Sequence, residues 1–216
     1  MSLPKACIFD LDGVIVDTVP AHFIAWMSMA DELEIPLTEE DNEHLKGVSR
    51  VDSMKRILAL GNQTRTDEEI KDLTDRKNKL YVDIISKMTA ADILPGVLDF
   101  IQLLKDNQIA IAVGSSSKNT PTILKAVGLD QTFDTIVDGN QVTHSKPDPE
   151  VFLKGAERLN LAPEDCLVLE DAISGVEAAR RGGMKCLGVG EADVLGAADK
   201  VVPNLKNIDI DFLKDI

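Results

Sequence analysis

Aromatic side chains are scarce in this chain of 216 residues, with one Trp, one Tyr and six Phe. Any core must therefore rest on Leu, Ile, Val and Ala. Cysteine is also rare: Cys7, Cys166 and Cys186 lie in or beside expected strands and lack metal-ligand spacing. They read as small buried hydrophobes of a reducing compartment rather than as a disulfide framework. No apolar run approaches the length of a membrane span, and the N-terminus has no signal-peptide h-region, so the expectation is a cytoplasmic protein with no membrane partner. Positive charge is in deficit as well. Lys and Arg number 23 against 37 Asp and Glu, for a formal net charge of −14. That balance argues against nucleic acid or an anionic membrane as partner, because both need a basic face. It also means that phosphorylated substrates could be bound only with a metal ion and a few well-placed cations, for which Arg50, Lys77, Lys118 and Lys146 stand out.

What the chain does contain is a repeated alternation of helix and strand from about residue 92 onward. Val97, Leu98, Ile101 and Leu104 have helical spacing, and Ile109–Val113 reads as a buried strand. A helix over 120–127 ends at Gly128, a natural C′ residue. Strands follow at 135–137, 166–169, 186–189 and 201–202, with helices at 149–159 and 173–181 between them. Such a rhythm implies an α/β fold, a Rossmann-like parallel sheet covered on both faces. Residues 19–88 break it. Val19, Phe23, Met27 and Ala30, then Val51, Met54, Ile57 and Leu58, then the long stripe from Ile70 to Met88, are all helical patterns without a convincing strand. The expected organisation is an α/β core of residues 1–16 and 91–216 with a small all-helical domain, 17–90, inserted after the first strand. Asp17-Thr18 and Ala90–Pro95 would be its linkers.

Three segments carry the chemistry: Phe9-Asp10-Leu11-Asp12-Gly13, Lys146-Pro147-Asp148-Pro149 and Glu170-Asp171. The first and last follow apolar runs that read as buried parallel strands, and ligands of open α/β sheets bind at the carboxyl ends of strands. Asp10 and Asp12, two apart in an extended segment, project to the same side. One carboxylate can attack phosphorus while the other handles the proton of the leaving or entering oxygen. Two such carboxylates repel each other and the substrate, an objection that Mg²⁺ removes. A calcium loop would instead need oxygen ligands where Val14 and Val16 stand. Glu170-Asp171 can complete a metal site or merely complement a helix dipole. Lys146 can balance a carboxylate and a transferring phosphoryl group or be a surface lysine. Ser115-Ser116-Ser117-Lys118-Asn119, between a strand and a helix, forms a plausible phosphate cradle.

Asp10-x-Asp12-Gly13, Ser115, Lys146 and Glu170-Asp171, in that order, resemble the four motifs of the haloacid dehalogenase-like phosphotransferases, and the helical insert is similar to their small cap domain. Within the cap, His22, Trp26, Lys46-Gly47-Val48-Ser49-Arg50, Ser53 and Arg76-Lys77-Asn78 are similar to the corresponding segments of the hexose-phosphate mutases of that family. The resemblance implies that Asp10 is the nucleophile, carrying the phosphoryl group as an aspartyl phosphate, and that Asp12 is the general acid/base. It implies a Mg²⁺ ion held by Asp10, Glu170, Asp171 and the backbone carbonyl of Asp12. Ser115 and Lys146 would hold the transferring phosphoryl group. Arg50 would bind the other phosphate, with Ser117 and Asn119 contributing from the core. Trp26, Gly47, Val48, Ser49, Ser53, Lys77, Ser116 and Lys118 complete the implied substrate site, Ser116 departing from the alanine usual at its position. His22 would couple cap closure to Asp12, and Thr18 would sit at the hinge.

The activity implied is interconversion of β-D-glucose 1-phosphate and glucose 6-phosphate through a bisphosphate intermediate, by a monomer. A phosphatase acting on a sugar phosphate would use the same core motifs, with water as final acceptor. A catalytically silent phosphate-binding protein would not need the full set of carboxylates and lysine.

Overall fold

A computed structural model describes residues 3–46 and 48–216. Six strands, β1 (Ala6–Phe9), β2 (Ala110–Gly114), β3 (Thr135–Val137), β4 (Cys166–Glu170), β5 (Lys185–Val189) and β6 (Lys200–Val202), form one sheet in the order β3-β2-β1-β4-β5-β6. Every pairing is parallel. The N-terminal strand is therefore central, and the chain leaves it first to one side and later to the other. That reversal places the ligand-binding crevice at the carboxyl end of β1.

The strands are apolar on both faces because both faces are covered. Cys7 and Phe9, Ile111 and Val113, and Leu167 and Leu169 join one core, under α5 (Val97–Asp106) and α6 (Thr120–Ala126). Ala6 and Ile8, Ala112, and Cys166 and Val168 join the other, under α7 (Glu150–Arg158) and α8 (Ile173–Arg181). The alternation follows from the two-residue period of a strand. Phe9 meets Phe100 of α5 edge-to-face with ring centroids 6.0 Å apart.

Among the described residues four α-helices and a short 3-10 turn (Ala90–Asp92) lie between β1 and α5, the helices being α1 (Val19–Glu32), α2 (Glu39–Glu43), α3 (Arg50–Leu60) and α4 (Asp67–Ile85). Pro20 suits the first turn of α1. The Ser49 hydroxyl caps α3, and Thr66 with Glu69 forms a capping box at the start of α4. Trp26, Met29, Met54, Ile57, Ile70 and Leu73 build a separate small core. The base of the bundle, Ala21, Ala25, Tyr81 and Ile85, instead continues the main core. The connections into and out of the bundle are paired with each other: Val16 bridges Ile93, the Leu94 amide donates to Ile15 (2.9 Å) and the Asp17 amide to Asp92 (3.3 Å). Here the structure is tighter than the linkers expected from sequence.

The longer elements agree with the sequence reading to within one or two residues, apart from the stripe to Met88, whose helix ends at Ile85. The reading did not find α2, α9 (Ala192–Leu195) or α10 (Ile210–Lys214), each too short to display a period. Among the described residues no helix is long and apolar enough to cross a membrane.

Phe100 is almost fully buried between α5 and β1. Phe100→Ala is expected to cost about 3–5 kcal/mol by leaving a cavity, read as a lowered urea midpoint with an unchanged slope.

Candidate active site

β1 delivers Asp10 to the sheet edge. Phe9 is in register with Val113 of β2 and Leu169 of β4, and the Asp10 amide donates to the Leu169 carbonyl (2.9 Å). Asp10 therefore emerges level with Glu170, the last residue of β4. A tight turn follows, in which the Leu11 carbonyl accepts from Ile15 and Val16 and the Gly13 amide donates to Val16 (2.8 Å). Gly13 is required twice over. Its φ is +82°, and a Cβ there would lie 2.2 Å from Asp171 Oδ2.

Lys146, fully buried, donates to Asp10 Oδ1 (2.5 Å) and to Glu170 Oε1, and its ammonium lies 4.7 Å from the centroid of the Phe152 ring. The second Glu170 oxygen accepts the Ala172 amide (2.8 Å). A Cβ at Gly175 would fall 1.8 Å from Glu170 Oε1, so α8 can pass this close only with glycine there. Burial alone would lower the pKa of Lys146, but Asp10 and Glu170 outweigh it and keep the lysine charged. Asp10 is pulled upward by burial; Lys146 opposes this, and Glu170 and Asp12 add to it. Asp171 is likewise raised well above the usual carboxylate range, by burial and then by Glu170 and Asp10.

These upward pulls come first from burial and then from an excess of negative charge. Oxygens of Asp10, Glu170 and Asp171 all lie within 4.8 Å of one another. An all-carboxylate set crowded against its own repulsion suits a hard divalent cation. The Asp12 carboxylate is outside this cluster. It turns toward the bundle, where its Oδ1 accepts from the Thr18 hydroxyl and from Tyr81 (3.3 Å) and faces His22 Nε2 at 3.7 Å. Burial would raise Asp12, yet His22 and Thr18 hold it below the usual carboxylate range.

The sequence-expected residues fall into three groups. Asp10, Lys146, Glu170 and Asp171 meet directly. Ser115, at the end of β2, is buried; its amide donates to Val137 (3.0 Å) and its Oγ accepts from the Ser117 amide (3.1 Å). Ser117 Oγ accepts from Asn119, whose side chain donates to Asn78 of α4 (3.0 Å). Ser116 Oγ is buried without a partner among the described residues, and Lys118 is exposed.

In the bundle, Lys77 is buried with its ammonium 2.8 Å from His22 Nδ1 and 4.4 Å from the centroid of the Trp26 ring. While Lys77 is charged it only donates, so Nδ1 then accepts and the ring proton sits on Nε2, toward Asp12. Burial and then Lys77 lower the His22 pKa. Arg50 opens α3 and acts electrostatically on both Lys77 and His22. Among the described residues, neither Arg50 nor Lys77 has a carboxylate within ion-pair distance. Trp26 and Ser53 are buried in the bundle, Trp26 reaching the site through Lys77, and the Ser49 hydroxyl is engaged with Asp52. Val48 is half-buried, and Gly47 lies outside the described residues.

Two groups escaped the sequence reading. Tyr81 was read only as part of an apolar stripe, although its position one turn after Lys77 puts it on the same face of α4. Lys46 was read only as a member of a similar segment, yet its ammonium lies 3.6 Å from Asp171 Oδ2.

Lys77 has its pKa lowered to about 7, by burial and then by Arg50. Between that value and the ordinary lysine range the unfolded chain binds a proton that the folded protein does not, so stability rises with pH across this window. Below it both states are charged, and folding bears the cost of the buried ammonium. Lys77→Met is accordingly expected to be more stable than the parent near pH 6 by a few kcal/mol, the advantage shrinking toward about pH 10. Urea titrations across that range check it.

Comparison with known proteins follows the same lines as the geometry. A family profile described as haloacid dehalogenase-like hydrolase matches residues 4–183. The chain is 41% identical to a β-phosphoglucomutase of Bacillus subtilis over 213 residues, covering 98% of this chain and 94% of that protein. It is 32% identical to a phosphorylated carbohydrates phosphatase of Thermotoga maritima over 84% of this chain and 82% of the other. The crystal structure of a β-phosphoglucomutase from Clostridium difficile superposes with a TM-score of 0.93 at 37% identity, covering 99% of this chain and 96% of that one. The shared edge of carboxylates and lysine, the parallel sheet and the helical insert have one common reading: this chain belongs to the haloacid dehalogenase-like hydrolase family and is a phosphotransferase enzyme of it.

Proposed function

We propose that the chain is a β-phosphoglucomutase, interconverting β-D-glucose 1-phosphate and glucose 6-phosphate through an aspartyl phosphate and a glucose bisphosphate. The observation that carries this reading is the pair of cap cations, Arg50 and Lys77, which among the described residues have no carboxylate within ion-pair distance, Asp75 and Asp12 acting on them only from further off, in a chain of net charge −14. Desolvated cations without an ion-pair contact in so acidic a protein call for an anion from outside. The core already offers Lys146 and the Ser115 loop for one phosphate, so a second cationic locus fits a substrate carrying two. A phosphatase for monophosphates needs only the first.

Residues 17–90 would form the cap and 1–16 with 91–216 the catalytic core. Asp10, with its Oδ1 held by Lys146, would attack phosphorus with its other oxygen; the new P–O bond forms as the bond to the sugar oxygen breaks. Asp12, ionised at rest and with its Oδ1 fixed by Thr18 and Tyr81, has Oδ2 left to take the proton of the attacking sugar hydroxyl and to return that proton to the departing sugar oxygen in the other half-reaction. Lys146 would compensate the negative charge on the transferring phosphoryl group, and the Ser115–Asn119 loop would bind its oxygens. Mg²⁺ held by Asp10, Glu170 and Asp171, with the Asp12 carbonyl as a further ligand, would supply charge neutralisation during transfer. Between half-reactions the bisphosphate turns over, so that Arg50 and the core loop exchange phosphates. Water must be kept from the aspartyl phosphate meanwhile. The Asn78–Asn119 bond and the bond from Ser174 Oγ to the Lys46 carbonyl (3.0 Å) fasten the cap to the core for that purpose. The protein is read as a cytoplasmic monomer without a nucleic-acid or membrane partner.

A coupled assay with Mg²⁺, β-D-glucose 1-phosphate and a trace of glucose 1,6-bisphosphate tests the reading. Glucose 6-phosphate is expected to form orders of magnitude faster than free phosphate, and Asp10→Asn to abolish both. Phosphate release keeping pace with substrate loss would favour the sugar-phosphate phosphatase instead. Arg50→Ala is expected to lower mutase turnover by about a hundredfold or more while sparing more of the slow hydrolysis, since only the mutase reaction requires the distal phosphate to be held.

A further inference from the structure

Lys46 follows α2 in the bundle, but its ammonium reaches the core. It lies 3.6 Å from Asp171 Oδ2 and 2.8 Å from Glu43 Oε2, and its own carbonyl accepts from Ser174 of α8. With Asp171, Gly13 and Glu191 it lines a cavity of about 450 Å³ whose wall includes none of Arg50, Lys77, Ser115 or Lys146. The cap thus touches the carboxylate cluster on a side away from the expected sugar site, and it does so with a cation.

Asp171 is one of the three carboxylates offered to the divalent ion. Two cations drawn to one carboxylate repel each other and divide its charge between them. We propose that Lys46 links cap position to metal occupancy: its ammonium and the divalent ion share Asp171, so each weakens the other's hold. The proposal rests on the metal site described above and adds to it a residue of the cap.

Charge counting gives the order of events. Three carboxylates against Lys146 leave two negative charges uncompensated, and Lys46 relieves one of them. A divalent ion neutralises both, and Lys46, which keeps Glu43 as its partner, then gains little from approaching Asp171. A phosphoryl dianion restores the deficit and with it the attraction for Lys46. The metal-loaded enzyme is therefore released toward an open cap that admits substrate, and the phosphate brings the cap back. By linkage, whatever weakens the ion when the cap closes must loosen the cap by the same factor when the ion binds.

Calorimetric titration of Mg²⁺ into the substrate-free protein and its Lys46→Gln and Lys46→Arg variants tests the linkage, together with X-ray scattering of each with and without Mg²⁺. Lys46→Gln is expected to bind Mg²⁺ more tightly, on the order of tenfold for one nearby unit charge, and Lys46→Arg to stay close to the parent. Mg²⁺ should enlarge the radius of gyration of the parent and leave that of Lys46→Gln unchanged. Equal affinities in the parent and Lys46→Gln, or a parent whose dimensions ignore Mg²⁺, would overturn the linkage alone. Failure of the parent to bind Mg²⁺ at all would overturn the metal reading and the linkage with it.

Discussion

Carboxylates repel, and the structure gathers four of them, Asp10, Asp12, Glu170 and Asp171, at one end of one sheet. Lys146 makes this tolerable. It binds Asp10 and Glu170 together, buried from solvent, at the carboxyl ends of β1 and β4. Removing one partner of such a buried pair leaves the other charged and unsatisfied, a cost of several kcal/mol. Other features of the site accommodate this crowding. Gly175 lets α8 pass the Glu170 carboxylate, Gly13 lets the turn after β1 pass Asp171, and Asp12 is drawn away from the cluster by Thr18 and Tyr81. The negative charge that remains provides the attraction for a divalent ion.

The bundle faces the opposite problem. Arg50 and Lys77 bring positive charge into a poorly hydrated place, and Lys77 loses much of its proton affinity there. Trp26 and Tyr81 present ring faces to the Lys77 ammonium, 4.4 and 4.6 Å from the ring centroids, which offsets part of that cost. The two sides of the site are therefore unbalanced in opposite senses, and the proposed doubly phosphorylated sugar with a metal ion would complement both. Between them lies His22, near-neutral, with one nitrogen on Lys77 and the other toward Asp12. Through this imidazole the cations of the bundle are linked to Asp12.

Much of this was legible in the sequence because buried parallel strands announce themselves. Ala6–Phe9 and Cys166–Leu169 are unbroken apolar runs, and the acids that end them must lie at the sheet edge whatever the details of packing. Register, which brings Asp10 level with Glu170, follows from strand pairing and could not be read from either run alone. The helical insert was legible from its periodicity, and its cationic residues from a resemblance of segments. Tyr81 and Lys46 were not. A tyrosine in an apolar stripe has the same pattern whether its hydroxyl is idle or bound to Asp12. The partner of a loop lysine depends on how one unit seats on another, which no local pattern records. The paired stem at Val16 and Ile93 was missed for the same reason, since it joins residues on opposite sides of the insert.

That stem bears on how the chain assembles. β1 finds its partners only in β2 and β4, so the strand made first waits, unpaired and wholly apolar, until the bundle and half of the sheet have been synthesised. Such distant pairing is slow to form because the intervening chain must first be confined. The Val16–Ile93 bridge, together with the Leu94–Ile15 bond, ties off the entire bundle as a closed loop. Once it is tied, β1 and β2 are separated by little more than α5. A stem a few residues long turns a long-range search into a short one, and gives the nascent chain a checkpoint before its central strand is committed.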